Sequence, residues 1–565
     1  MNTTICCAWR PLRMFPFADG TVEGVWSHGR AGTAVWFSKS SLSFGVVLQK
    51  EPGWLEEEVP EGQAGDPRVS VGVEGRASFP GEMATAGRRA RARESDTART
   101  VGEGVSRTIE CSVPPRAAPA VLGCDATVNP ARHQFSLGQI TLQILWVLRG
   151  ISFRGACAVV ETLSDWGLGG ELFSGAPHAT TLRWWLLRLG HYQLHRPKEQ
   201  ADDWVWLIDH SNQIGQEKFL AVLGIRLSQM PPPGEALRLC DMQLIDLQPV
   251  TVSDKQVVYQ QLEANVTKTG VPRAIVHDRG GDLAGGTALF RAAHSETTEL
   301  YDVAHKAACL LKAILERDER FRQFGGQVGR TKCQVQQTEL AFLVPPKPRE
   351  KARYMNLQSL IRWGQETLAL VDAPPKSVLQ YVVPERLEEK LGWLRDFRGA
   401  LSEWSELQRV IDVTVEFVRQ QGVCRDTGSQ LAERLNPLPL QPTAGQLRDQ
   451  LLVFVRDQAS RPRPGERLPG SSEILESSFG KYKALERDQV HGGLTSLLLA
   501  FGACVSEITT ETVHAALTNS TTRDVIEWIH RKLGPTHASK RRLAYQNIDK
   551  NCATKLEGRP ALAAT

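Results

Sequence analysis

Hydrophobic periodicity sets in at FSLGQITLQILWVLRGISFRGACAVVETL, where Leu137, Ile140, Ile144 and Leu148 fall on one helical face and Phe153, Ala156, Val160 and Leu163 on another. In PHATTLRWWLLRLGHYQL, Thr180 or Thr181 can cap a third helix whose apolar side is Leu182, Trp185, Leu186 and Leu189. The period then changes. DDWVWLID, KFLAVLGIRL and MQLIDLQPV are short apolar runs bounded by polar or turn residues, and each predicts a strand. SDKQVVYQQLEANVTKTG predicts a helix, with Ser253 and Gln256 at capping-box spacing and Gly270 just past its end. VPRAIVHDRGGDL predicts a fourth strand ending in Asp278, and TELYDVAH a fifth ending near His305. The order βββαβαβ implies a mixed sheet with helices packed on its faces.

From Lys306 to about Arg467 the pattern is amphipathic and helical, punctuated by the Pro-rich VPPKPREK and NPLPLQPTAG. A loop of that length is implausible, so the stretch predicts an all-α insertion between sheet elements. SSEILESSFGKYKALER predicts one more strong helix, followed by GGLTSLLLAFGACV, TRDVIEWIHRKLG and the basic SKRRLAYQ. Residues 1–127 show no lasting period and are rich in Gly, Arg, Glu and Pro, which predicts a largely disordered leader. The expected division is 1–127 leader, 128–200 helical domain, 201–305 first part of the sheet domain, 306–467 helical insertion, 468–535 closing helices and 536–565 flexible basic tail.

Composition narrows the classes. With 41% hydrophobic residues in 565, the chain can build two to four cores. Its 11 cysteines include no CxxC pair, which argues against a disulfide framework or a structural zinc site. A net charge of +4 permits nucleic-acid binding without arguing strongly for it. The first twenty residues lack a signal-like apolar stretch, and no run is apolar enough for a membrane span, so a cytoplasmic, nucleoid-associated protein is expected.

Two features suggest chemistry. The third helix presents Arg183, Trp184 and Arg188 opposite its apolar face, which suits a helix-turn-helix unit whose last helix enters the major groove. A small bundle with solvated arginines is the plain alternative. The second feature is a pair of acids at strand ends, Asp209 after the first strand and Asp278 after the fourth. If those strands are neighbours the two carboxylates stand side by side, an arrangement that is costly unless a cation joins them.

WLIDHSNQIG, AIVHDRGGDLAGG and SSEILESSFGKYK, set around a long helical insertion and preceded by three short helices, resemble the DDE transposases of bacterial insertion sequences. The resemblance covers roughly residues 130–535. It implies an α/β, RNase H-like fold with a large all-α insertion, a helix-turn-helix-like DNA-binding domain and Glu476 as a third acid, with Lys483 two turns further along. It further implies that Asp209, Asp278 and Glu476 hold two Mg²⁺ ions (Mn²⁺ being an alternative) for strand cleavage and transfer. Double-stranded DNA, both element ends and target, is the implied partner, contacted by Arg183, Arg188, Lys481 and Lys483, with a homodimer or larger assembly on it. Asp282 competes for the second position, and Glu473 or Glu339 for the third. Asp302 and His305 fit a sheet-to-helix junction or a catalytic contribution, and His305 with Cys309 has the spacing of a metal pair, although two ligands without two more do not make a zinc site. Two other functions remain open: an inactive RNase H-like DNA-binding protein, and a structure-selective nuclease of the same fold.

Overall fold

The computed structural model describes residues 129–130, 133–168, 170–347, 357–487 and 493–546, together with the backbone of four strands before residue 50. Two compact units divide the chain, residues 1–112 and 113–565.

The first unit contains β1 (Arg10–Pro16), β2 (Val22–His28), β3 (Thr33–Ser38) and β4 (Ser43–Leu48), paired in that order as an antiparallel meander. Strands were not expected there. VEGVWSH, TAVWFS and SFGVVL are short runs of β-branched and aromatic residues, and the Gly- and Arg-rich sequence after them obscures their period. The rest of the expected leader lies outside the described residues.

The second unit is built on β5 (Trp204–Asn212), β6 (Lys218–Arg226), β7 (Gln243–Val250), β8 (Ala274–His277) and β9 (Thr298–Tyr301). They lie in the order β7-β6-β5-β8-β9. β6 is antiparallel to both neighbours, whereas β5, β8 and β9 run parallel. Helices cover both faces, so β5 is apolar on each side and reads WVWLI rather than alternating. Trp204, Trp206 and Ile208 pack on one face with Val258 and Leu262 of one helix and Leu283 and Phe290 of another. These helices are α4 (Lys255–Thr269) and α5 (Gly281–Ala293), numbered after α1 (Leu137–Leu148), α2 (Phe153–Asp165) and α3 (Ala179–His195). Val205 and Leu207 face the other side, in one core with Ile140, Ile144, Trp185 and Leu186.

The helices α1 to α3 therefore share a core with the sheet rather than standing apart as a domain of their own. The insertion follows β9 as α6 (Val303–Leu315), α7 (Glu319–Val335), α8 (Gln358–Asp372), α9 (Lys376–Leu379), α10 (Pro384–Leu391), α11 (Arg398–Gln421), α12 (Thr427–Leu435) and α13 (Pro442–Ala459). It has its own core, from Val303 to Ala459, around Phe324, Trp404 and Leu447. Helix α7 is hard to see in sequence because the exposed Gly325, Gly326 and Gly329 beside its stripe of Phe324, Val328 and Val335 lower its helix propensity. The chain returns to the sheet as α14 (Glu473–Arg487) and closes with α15 (Ala500–Cys504), α16 (Thr510–Asn519) and α17 (Thr522–Lys532).

Close backbone contact fixes α3 to these closing helices. A Cβ at Gly190 would lie 1.7 Å from the Leu499 carbonyl oxygen, and one at Gly502 would lie 2.7 Å from the Gly190 carbonyl oxygen. Residues 537–546, expected to be part of a flexible tail, are helical, and Lys540 Nζ donates to Glu217 at 3.0 Å. Among the described residues no helix is long and apolar enough to cross a membrane.

Candidate active site

Asp209 lies inside β5, opposite Ala221 of β6, because the strand continues past it to Asn212. On its other side Leu207 pairs with Val276 of β8, and β8 stops at His277. Continuing that register two residues past its last pair brings Asp209 level with Asp278, the residue just after β8, where neighbouring strands lie about 4.8 Å apart. Asp209 shares its parity with Val205 and Leu207, so it projects toward the face that α14 covers.

Phe479 and Tyr482 pin α14 there, each ring 5.7 Å from that of Phe219. The first turn of that helix carries Glu473 and Glu476, where the positive end of the helix dipole favours acids.

The turn after Asp278 is strained. Arg279 adopts φ 62°, among the described residues the only non-glycine with positive φ. Gly280 and Gly281 follow in ordinary conformations, so the left-handed residue is the arginine and not a glycine of RGGD. Buried His277 holds this turn: its Nδ1 accepts from the Arg279 amide at 3.0 Å, and its Nε2 faces Glu299 at 3.3 Å. Glu299 is pushed down to about 2, first by His277 and then by Arg279. Both aspartates are turned onto backbone. Asp209 Oδ1 accepts from the His210 amide at 2.6 Å, and Asp278 Oδ1 from the Gly280 amide at 2.8 Å.

The acids nevertheless act on one another. Burial pushes the Asp209 carboxyl up to about 8, and the charges of Asp278, Glu476 and Asp302 add to it, against the His210 amide. Glu476 is open to solvent on one side of its helix. Even so, the protein packed around its carboxyl, then the charges of Asp302, Glu473 and Asp278, push it up to about 7. Glu473 is raised by burial and by Asp302, although Arg419 Nη1 of α11 lies 3.8 Å away. Carboxyls that hold protons near neutral pH, first because they are buried and then because other carboxyls crowd them, form a set whose proton a divalent cation can replace. Such a ligand set, all oxygen, suits Mg²⁺ or Mn²⁺. As the side chains stand, no three His, Cys, Asp or Glu among the described residues are arranged to hold a metal ion.

The competing acids have other occupations. Asp302, 3% exposed, ends β9 and caps α6 by accepting from the His305 amide at 2.8 Å. Its other oxygen accepts from the Ser472 amide and hydroxyl, both at 2.5 Å, which ties the start of α14 to the sheet. The fifth strand thus ends at Tyr301, and His305 sits within a helix. Asp282, in the first turn of α5, belongs to the opposite face of the sheet, 2.8 Å from Lys218 Nζ and 3.7 Å from His210 Nδ1. Burial opposes its ionisation, but Lys218, Ser253 and His210 hold it down at about 2. Glu339 pairs with Arg386 in the insertion, and Cys309 lies 3.8 Å from the Tyr301 hydroxyl.

The expected DNA contacts divide in two. Arg183 donates to the Ser496 hydroxyl at 2.7 Å, and Arg188 to the carbonyls of Ser520 and Leu517. Both arginines are part-buried and bonded to the closing segment of the chain. Lys481 and Lys483 are exposed on α14, with Lys483 Nζ 5.9 Å from the centre of the Phe479 ring. Sequence reasoning missed the roles of His277, Ser472 and Arg419. Ser472 and Arg419 meet partners far away in the chain, and His277 meets Glu299 from another strand, so no local pattern announces them.

No protein-family model and no curated protein matches the chain. Among solved structures, the Drosophila P element transposase strand transfer complex is similar to it with a TM-score of 0.32 and 12% identity, over 69% of this chain and 93% of that one.

Proposed function

We propose that this chain is a DDE-type transposase with an RNase H-like fold, binding the ends of a mobile element and carrying out metal-dependent strand cleavage and strand transfer on DNA. One observation carries the reading: Asp209 of β5 and Asp278, the residue just past the neighbouring parallel β8, fall level when the register is continued, and the acidic first turn of α14 belongs to the helix packed on the same face. The strand order, with the first strand central and the second antiparallel, supports the RNase H-like assignment. A helical insertion with its own core, between the last strand and the helix of the third acid, supports the transposase type.

Asp209, Asp278 and Glu476 would hold two Mg²⁺ ions, which supply Lewis-acid activation of the attacking hydroxyl and stabilise the departing oxygen. The chain's own residues do the positioning. The His277–Arg279 turn sets Asp278, and the Asp302–Ser472 bonds set the helix that carries Glu476. Lys481 and Lys483, on the same helix, suit the DNA backbone beside the acids. Two ends must be held together for transfer, which calls for a dimer or larger assembly.

The test is the joining of an oligonucleotide 3′-hydroxyl to supercoiled plasmid by the full chain with Mg²⁺. Joining that Asp209→Asn, Asp278→Asn and Glu476→Gln each abolish, with DNA binding retained, supports the proposal. Equal joining in all three variants overturns it; DNA binding without any joining by the parent indicates an inactive DNA-binding scaffold, and hydrolysis without joining indicates a nuclease.

A further inference from the structure

The free edge of β7 borders a cleft of about 720 Å³ where the C-terminal ends of α3, α4 and α17 converge. Five cationic side chains line it, Arg196, Lys198, Lys268, Arg531 and Lys532, against the single carboxylate of Asp246 and the partial negative charge of the three helix ends.

Part of this charge has a structural task. Lys198 Nζ donates to the carbonyls of Gln193 and Arg196 at 2.9 and 2.8 Å, closing the end of α3. Lys268 Nζ lies 3.0 Å from Asp246 and donates to the Ile245 carbonyl, and Lys532 Nζ donates to Gln248 at 3.1 Å. Capping of helix ends does not exhaust these groups. An ammonium has three donors, which leaves at least one on each lysine, and the buried Arg196 Nε has no hydrogen-bond partner. Burial and the charge of Arg196 together push Lys198 down to about 7, the strain expected when cations are gathered with too little counter-charge.

The geometry points to a phosphate-binding cleft at this edge. A volume of this size takes a diphosphate or a stretch of nucleic-acid backbone, and the remaining donors suit non-bridging phosphate oxygens. β7 lies two strands from β5, so the cleft is about 10 Å to the side of the strand that carries Asp209, close enough for one duplex to span both. The DNA source rests on the proposed function, whereas the phosphate chemistry does not.

The experiment combines lysine acetylation, read by mass spectrometry, with DNA binding by the full chain. If the inference holds, phosphate ligands slow the acetylation of Lys268 and Lys532 severalfold. Protection by a short duplex, at phosphate concentrations where inorganic pyrophosphate does little, identifies DNA as the source, and the reverse identifies a soluble oligophosphate. In the DNA case, Arg531→Glu with Lys532→Glu weakens duplex binding at least tenfold at 0.1 M salt and flattens its salt dependence by a slope of about 2. If neither ligand protects either lysine, the inference is overturned, and this holds even if the double variant does not fold. Asp209→Asn is expected to bind normally here, so loss of the active-site reading and loss of this one give different results.

Discussion

Replacing Asp209 by Asn should make the metal-free protein more stable, not less. A carboxyl whose value in the folded chain lies above its unfolded value keeps a proton that the unfolded chain has released. Its favourable contribution is complete below about pH 4 and is lost as the pH climbs to about 8. From the ordinary 3.8 to pH 7 is about 3 pH units at about 1.4 kcal/mol each, so the carboxyl costs the parent about 4 kcal/mol at neutral pH. Partial exposure to solvent makes this an upper bound. The amide has the same shape and does not titrate. Urea unfolding of parent and variant in chelator from pH 5 to pH 8 measures the difference. Shifted groups not coupled to Asp209, among them His191 and Lys198, are common to both proteins and cancel. The advantage of the variant should widen with pH, by up to about 1.4 kcal/mol per unit, and Mg²⁺ should erase it by stabilising only the parent. A difference that stays flat from pH 5 to pH 8, or a variant less stable than the parent at pH 8, would refute the reasoning.

Three further substitutions test how the site is held. Gly190→Ala places a methyl against the Leu499 carbonyl and should cost about 3 kcal/mol, seen as early urea unfolding, because backbone atoms cannot step aside as a side chain can. Asp302→Ala removes the cap of α6 and both Ser472 bonds, for a loss of about 3 kcal/mol. It should also lower the Glu476 value, which carboxyl NMR titration reads. Arg273 donates twice to Glu466 at 2.7 Å and ties β8 to the segment returning from the insertion. Breaking this buried pair with Arg273→Ala should cost about 3 to 5 kcal/mol in the same unfolding assay.

Much of the second unit was legible in the sequence because burial on both faces leaves an unmistakable mark. WVWLI and FLAVLGI are continuous apolar runs, and the βββαβαβ order follows from them. The acids could be picked out since each interrupts such a run or opens a helix. Other features depend on partners distant in sequence. Arg183 and Arg188 have the spacing of a DNA-reading helix, yet they bond to groups more than 300 residues later. That contact could not be seen until the closing helices were placed. Asp302 and Asp282 look as available as Asp209 in sequence, and only the geometry shows one spent on Ser472 and the other paired with Lys218 on the far face. The left-handed Arg279 is hidden in sequence by Gly280 and Gly281, the residue type more usual at positive φ.

The convergence of the three acids on divalent ions can be tested without knowing any DNA sequence. Fe²⁺ bound in place of Mg²⁺ and supplied with ascorbate and peroxide cuts the backbone within a few ångströms of the ion. Cuts beside residues 209, 278 and 476 together, all suppressed by excess Mg²⁺ and absent from Asp209→Asn, are the predicted result. Cuts near only one of these positions, or a pattern that Asp209→Asn leaves unchanged, would contradict it.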